Sequence, residues 1–135
     1  MPLARLLMSR GLFEALLDEV RRAAPEEGCG LIATSGERAM KLFPGRNVDR
    51  SPTRYTMDPY DVLHGLLEIE AAGWRLGAIY HSHPDGPAWP SPTDLREAQY
   101  PDALVLIVSL ADATPDARAF DIAGGAIREV PLDVD

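Results

Sequence analysis

Between Ser9 and Pro25, apolar residues fall at Phe13, Leu16, Leu17 and Val20, the three-and-four spacing of one helix face. Ser9 can cap a helix start and Pro25 can end one, so the pattern predicts a first helix between them, preceded by a short strand over residues 2–8. After Glu27, the apolar run CGLIAT and the segment GERAMKLFP flank a glycine-containing turn and read as a hairpin. The stretch GRNVDRSPTRYTMD reads as a loop leading into a brief strand. Asp58 is the expected cap of a second helix, with Pro59 at its first position, Leu63, Leu66, Leu67 and Ala71 on its buried face, and Gly73 where it stops. WRLGAIYHSH follows as a strand. The segment from Pro84 to Pro90 is a loop, and Ser91-Pro92-Thr93-Asp94 carries the cap and first turn of a short helix. Residues 103–110 (ALVLIVSL) are apolar on both faces, as in a central strand. DARAFDI and AIREVPL, either side of AGG, predict a closing hairpin on one edge. The alternation predicts an α/β domain spanning residues 1–135, with one mixed β-sheet flanked by helices.

Charge narrows the possible partners. The 13 basic residues are scattered and outnumbered by 21 acidic ones, a net charge of −8. Nucleic-acid binding draws its affinity from Lys and Arg against phosphates, so that class is excluded. Arg5, Arg10, Glu14 and Asp18 interrupt the apolar N-terminal runs, and no stretch reaches the roughly 18 apolar residues of a membrane span. With Cys29 as the lone cysteine, an intramolecular disulfide and a four-cysteine zinc ribbon are both excluded. A cytoplasmic protein is expected, without membrane or nucleic-acid partners; a homo-oligomer stays open.

The chemistry centres on His81-Ser82-His83 at the end of a predicted strand, where period-two alternation points both imidazoles to one side. Eleven residues after His83, Asp94 lies in the first turn of a helix that the intervening loop can fold back over the strand end. Two imidazoles and one carboxylate are a common catalytic zinc set that leaves a fourth position for water. Such a site also needs a base, and spacing alone does not choose one among 21 acids.

The pattern of a Glu followed later by His-x-His, seven residues, then Ser-x-x-Asp resembles the JAMM (MPN-plus) metalloprotease motif. His81, His83, Ser91 and Asp94 match it, and PEEGCGLI resembles the family's Pro-x-Glu-x-Cys-Gly-Leu segment, which points to Glu27 over Glu26. The resemblance implies the MPN fold and one Zn2+ per chain held by His81, His83, Asp94 and water. It also implies Glu27 as general base and then acid, and Ser91 as a stabiliser of the oxyanion. Short stand-alone bacterial members are similar in size and in HSHP followed by PSxxD. They imply a substrate: a ubiquitin-like or sulfur-carrier protein, hydrolysed at the amide after its C-terminal Gly-Gly. The tail is expected to be clamped by pairing to a strand edge.

Blander readings exist for each residue. Ser91 and Asp94 also suit a plain helix cap, and Ser51-Pro52-Thr53-Arg54 shows that Ser-Pro-Thr alone signals a turn. Cys29 is expected in the core, with metal contact the alternative. His64 and Glu68 read as an exposed pair one turn apart, and Trp89 either pins its loop or lines a peptide groove. The whole chain has one competing reading, a non-catalytic MPN scaffold or binding module, which intact ligands disfavour.

Overall fold

The computed structural model describes residues 1–135. In chain order the elements are β1 (Leu6–Met8), α1 (Arg10–Ala23), β2 (Cys29–Ser35), β3 (Arg38–Gly45), α2 (Pro59–Ala71), β4 (Arg75–His83), α3 (Pro92–Glu97), β5 (Leu104–Ser109), β6 (Asp116–Ala123), β7 (Ala126–Val130) and β8 (Leu132–Val134). The expected cap residues act as caps: Ser9 Oγ accepts from the Leu12 N–H at 3.2 Å and Asp58 Oδ1 from the Tyr60 N–H at 2.8 Å. Gly73 has a φ of +74° just past α2, the left-handed turn that glycine adopts without a Cβ clash.

The eight strands form one mixed sheet in the order β7-β6-β5-β4-β2-β3-β1-β8. Strands β2 and β3 make the predicted antiparallel hairpin, β4 and β5 run parallel, and α3 lies on the connection between them. Alternation sorts side chains onto two faces. Ile32, Ala78, Tyr80, Leu104 and Leu106 share the larger core with Leu16 and Val20 of α1. Leu31 and Cys29 cluster with Met57 on the opposite face, where Ile107, Phe120 and Ile122 form a further cluster with Ala88.

Three expectations change. Residues 46–58 form no strand, only an isolated antiparallel bridge between Asn47 and Met57. On α2 the fully buried positions are Gly65 and Ile69, with Val62 and Leu66 partly covered, while Leu63 and Leu67 are 51% and 54% exposed. The helix packs where Gly65 has no Cβ: one built there would lie 2.9 Å from Leu31 Cδ1. The third change is at the C-terminal end. β7 pairs with β6 as the predicted hairpin, but after Pro131 the chain crosses to the other rim, where β8 runs parallel to β1. The Pro131 carbonyl accepts from the Leu6 N–H at 2.9 Å, so the sheet curls into a band closed at this corner.

Candidate functional site

Strand β4 delivers His81 and His83 to one face, and both are buried. Their Nε2 atoms lie 3.2 Å apart. Asp94 reaches them from the first turn of α3, with Oδ2 3.1 Å from each Nε2. A capping box holds the carboxylate there: Ser91 Oγ accepts from the Asp94 N–H at 3.0 Å, and Asp94 Oδ2 accepts from the Ser91 N–H at 2.8 Å. The cap and the convergence on the histidines are therefore one geometry, and Ser91 Oγ keeps its own proton free to donate.

These donors can be tested against a cation. His83 Nδ1 is 2.7 Å from the Pro87 carbonyl, which can only accept, so Nδ1 carries the hydrogen and the neutral ring presents a bare lone pair at Nε2. His81 Nδ1 is buried without a partner. Two imidazole nitrogens and a carboxylate oxygen thus meet within 3.2 Å, and electron pairs so placed need protons or a cation between them. A tetrahedral ion with bonds of roughly 2.0–2.1 Å spaces its ligands by about 3.3–3.4 Å, close to these separations. The donor set fits a four-coordinate divalent metal.

Electrostatics agree with that fit. Burial opposes ionisation of Asp94, but hydrogen bonds from His81, His83 and the Ser91 N–H outweigh it and hold the carboxyl well below the usual carboxylate range. Burial likewise opposes protonation of His83, yet Asp94 and the Pro87 carbonyl raise its pKa. In the absence of metal, protonation of His83 is therefore easier than in a free imidazole.

Glu27 brings a second carboxyl to the site. It is 2% exposed and places an oxygen within 4.8 Å of the ring nitrogens of both histidines. Burial pushes its carboxyl up to about 7, with His83 opposing and Asp94 reinforcing the shift, and Oε1 has no hydrogen-bond partner. Glu26 is only half-buried and does not join this group. The Glu27 segment is tied to β4 by the residue between the two histidines. Ser82 faces away from the site, and its Oγ accepts from the Gly28 N–H at 2.8 Å. Tyr55 stacks on His81 at a centroid distance of 4.9 Å and an interplanar angle of 27°. A groove of about 300 Å³ runs beside the site, lined by Leu31, Tyr55, Met57, Val62, Ile79 and Val105 and reaching His81 and Asp94.

Several expectations resolve here. Cys29 shares the register of His81, but its thiol contacts the Gly45 carbonyl at 3.7 Å and burial pushes it up to about 12, so it is a core thiol. Trp89 packs edge-on against Phe120 at 5.2 Å and does not line the groove; it pins its loop. Glu68 pairs with Lys41 at 3.4 Å rather than with His64. Tyr55, Ser82 and Asn47 do not emerge from the sequence reading. Ser82 carried one usable signal, its forced position between two residues of the opposite face.

The family described as prokaryotic homologs of the JAB domain matches residues 9–123. The chain is similar to the "Probable TtuB-protein conjugate cleaving protease" of Thermus thermophilus, at 42% identity over 131 residues, covering 96% of this chain and 82% of the relative. It is also similar to the CysO-cysteine peptidase of Mycobacterium tuberculosis, at 35% identity over 132 residues, covering 96% and 90%. Among solved structures, a protein from Desulfitobacterium hafniense superposes with a TM-score of 0.87 at 31% identity, covering 96% of this chain and 92% of that one. A JAB1/MPN domain protein from Archaeoglobus fulgidus has the same fold, with a TM-score of 0.65 at 22% identity, covering 98% and 99%.

Proposed function

Since the chain belongs to the prokaryotic homologues of the JAB domain, we propose that it is a zinc metallopeptidase acting on a ubiquitin-like or sulfur-carrier protein, at the amide after a C-terminal Gly-Gly. The observation that carries this reading is the meeting of His81, His83 and Asp94 within 3.2 Å, with a buried carboxyl, Glu27, beside them. Relatives named for cleaving TtuB-protein conjugates and CysO-cysteine support the substrate class.

In this reading His81, His83 and Asp94 would hold one Zn2+ per chain. The bound ion supplies Lewis acidity, which lowers the pKa of a water and polarises the scissile carbonyl. Glu27 accepts the proton of the attacking water and passes it to the leaving amine, a role that suits a buried carboxyl beside the histidines whose Oε1 has no other partner. Ser91 donates its free hydroxyl proton to the oxygen that gains negative charge. Asp94 stays ionised throughout.

Strand-edge pairing of the tail would have to use a segment other than β4. β4 is flanked by β2 on one side and β5 on the other, so the sheet offers no free edge at the histidines. The groove reaches His81 and Asp94, and its apolar walls suit an extended tail whose last two residues need no room for side chains.

The direct test loads the protein with zinc, incubates it with Gly-Gly-terminated carriers extended by one amino acid, and reads intact mass. One zinc per chain and loss of the added residue are expected, with cleavage stopped by a chelator. Zinc binding with no cleavage of any carrier would favour the scaffold reading.

A further inference from the structure

Glu27 sits two residues ahead of β2, outside every strand ladder, and its Oε1 has no partner. No hydrogen bond therefore aims that oxygen, and the direction of the side chain depends on how its backbone is held. Both backbone groups are held by the 46–58 loop. The Glu27 N–H donates to the Ser51 carbonyl at 2.8 Å, and its carbonyl accepts from Asn47 Nδ2 at 3.1 Å.

Asn47 is the hub of that loop. It is 7% exposed, and its side-chain amide uses all four of its hydrogen-bonding positions. Nδ2 donates to the Glu27 and Arg54 carbonyls, both at 3.1 Å; Oδ1 accepts from the Asp49 N–H at 3.1 Å and the Thr56 N–H at 3.2 Å. Three of these bonds fold the loop on itself. The fourth leaves it and grips the residue that carries the buried carboxyl.

We infer that Asn47 is a positioning residue for Glu27, joining the 46–58 loop to the backbone of the base so that the carboxylate meets the attacking water. The inference rests on the reading of Glu27 as general base. A general base works only within hydrogen-bond reach of its proton, and a misplacement of about 1 Å costs on the order of 100-fold in rate.

Asn47→Asp removes the bond to Glu27 while keeping two of the three bonds that fold the loop. A carboxylate keeps the two acceptor bonds to Asp49 and Thr56 and loses the donation to Glu27 and Arg54. Using a Gly-Gly-terminated carrier extended by one amino acid, the zinc-loaded variant is expected to keep one zinc per chain and a KM within about twofold, while kcat falls roughly 10- to 100-fold. In a Glu27→Gln background the same change should lower the residual rate by less than about twofold, because the group that Asn47 aims is already disabled. Asn47→Ala, which buries no new charge, runs through the same cycle and decides the matter if Asn47→Asp does not fold.

Equal losses in both backgrounds would mean that Asn47 supports the fold at large, and would overturn the inference. Full kcat in Asn47→Asp, with Glu27→Gln inactive, would overturn it while leaving the base in place. Near-normal turnover in Glu27→Gln would remove the base reading itself, and the inference with it.

Discussion

Burial pushes the Glu27 carboxyl up to about 7, above the ordinary glutamate value of 4.5. Such a group binds its proton more tightly folded than unfolded, so in metal-free protein it costs stability above about pH 7, and the cost fades as pH falls toward 4.5. Glutamine carries no charge to bury. Metal-stripped Glu27→Gln should therefore melt higher than metal-stripped wild type at pH 8, with the gap closing by pH 5; equal gaps at both values would contradict the buried-charge account. With zinc bound, the same variant should keep its metal and lose about 100-fold or more in kcat, the usual weight of a general base. The ligands behave differently. His81→Ala, His83→Ala and Asp94→Ala should each lower zinc content by metal analysis, while Cys29→Ala should keep one zinc per chain, because its thiol is held protonated against the Gly45 carbonyl. His81, His83 and Asp94 were legible because two local rules, strand alternation and the helix cap, predict their meeting. Ser82, Tyr55 and Asn47 were not, since each acts on a partner 20 or more residues away, and no local pattern encodes the pairing of Ser82 with Gly28 across 54 residues.

At the scale of elements, the helix caps and most strand positions could be read directly, and the face of α2 could not. Its leucines at 63, 66 and 67 suggest one apolar stripe, yet with Val62 and Ile69 the apolar residues spread over a wide arc opposite Asp61, His64 and Glu68, so periodicity alone does not choose which part of that arc is buried. Gly65 chooses it by letting the helix backbone approach Leu31 and Phe43. The energetic consequence is specific. Ile69→Ala, at 4% exposure, should cost about 2–5 kcal/mol in denaturant titrations, whereas Leu67→Ala, at 54%, should stay within about 0.5 kcal/mol. Similar costs at the two sites would put the stripe back on the buried side. The 46–58 loop shows the opposite kind of shortfall. Its Ser51-Pro52-Thr53 segment is the turn the sequence suggests, with Ser51 Oγ accepting from the Thr53 N–H at 3.1 Å, but the Ser51 carbonyl also anchors Glu27, a use that exists only once β2 and the loop are packed together.

For the molecule as a whole, metal and proton compete for one place. His83 is raised by Asp94 and the Pro87 carbonyl, so at low pH it holds a proton that the metal must displace. Zinc binding should weaken as pH falls and should release protons, seen as a dependence of the calorimetric heat on buffer ionisation; a heat independent of buffer would contradict this. In the proposed reading zinc would bind the folded state, so it should raise Tm, by the equivalent of about 2.7 kcal/mol when free metal stands at 100 times Kd.

The corner at Pro131 matters before the protein has ever met a metal. β1 is made early in synthesis, yet its outer neighbour is β8, with Leu6 set against Leu132, so one rim of the sheet cannot be completed until the ribosome has made nearly the whole described chain. The segments that carry Glu27, the histidines and Asp94 are all translated by residue 97, well ahead of that closure. A nascent chain halted between those points would carry the metal-binding residues while β1 still lacked its outer partner, and contacts so far apart in sequence close slowly. During that interval the outer edge of β1 is open to mispairing with a neighbouring chain, and the three residues of β8 after Pro131 cover it.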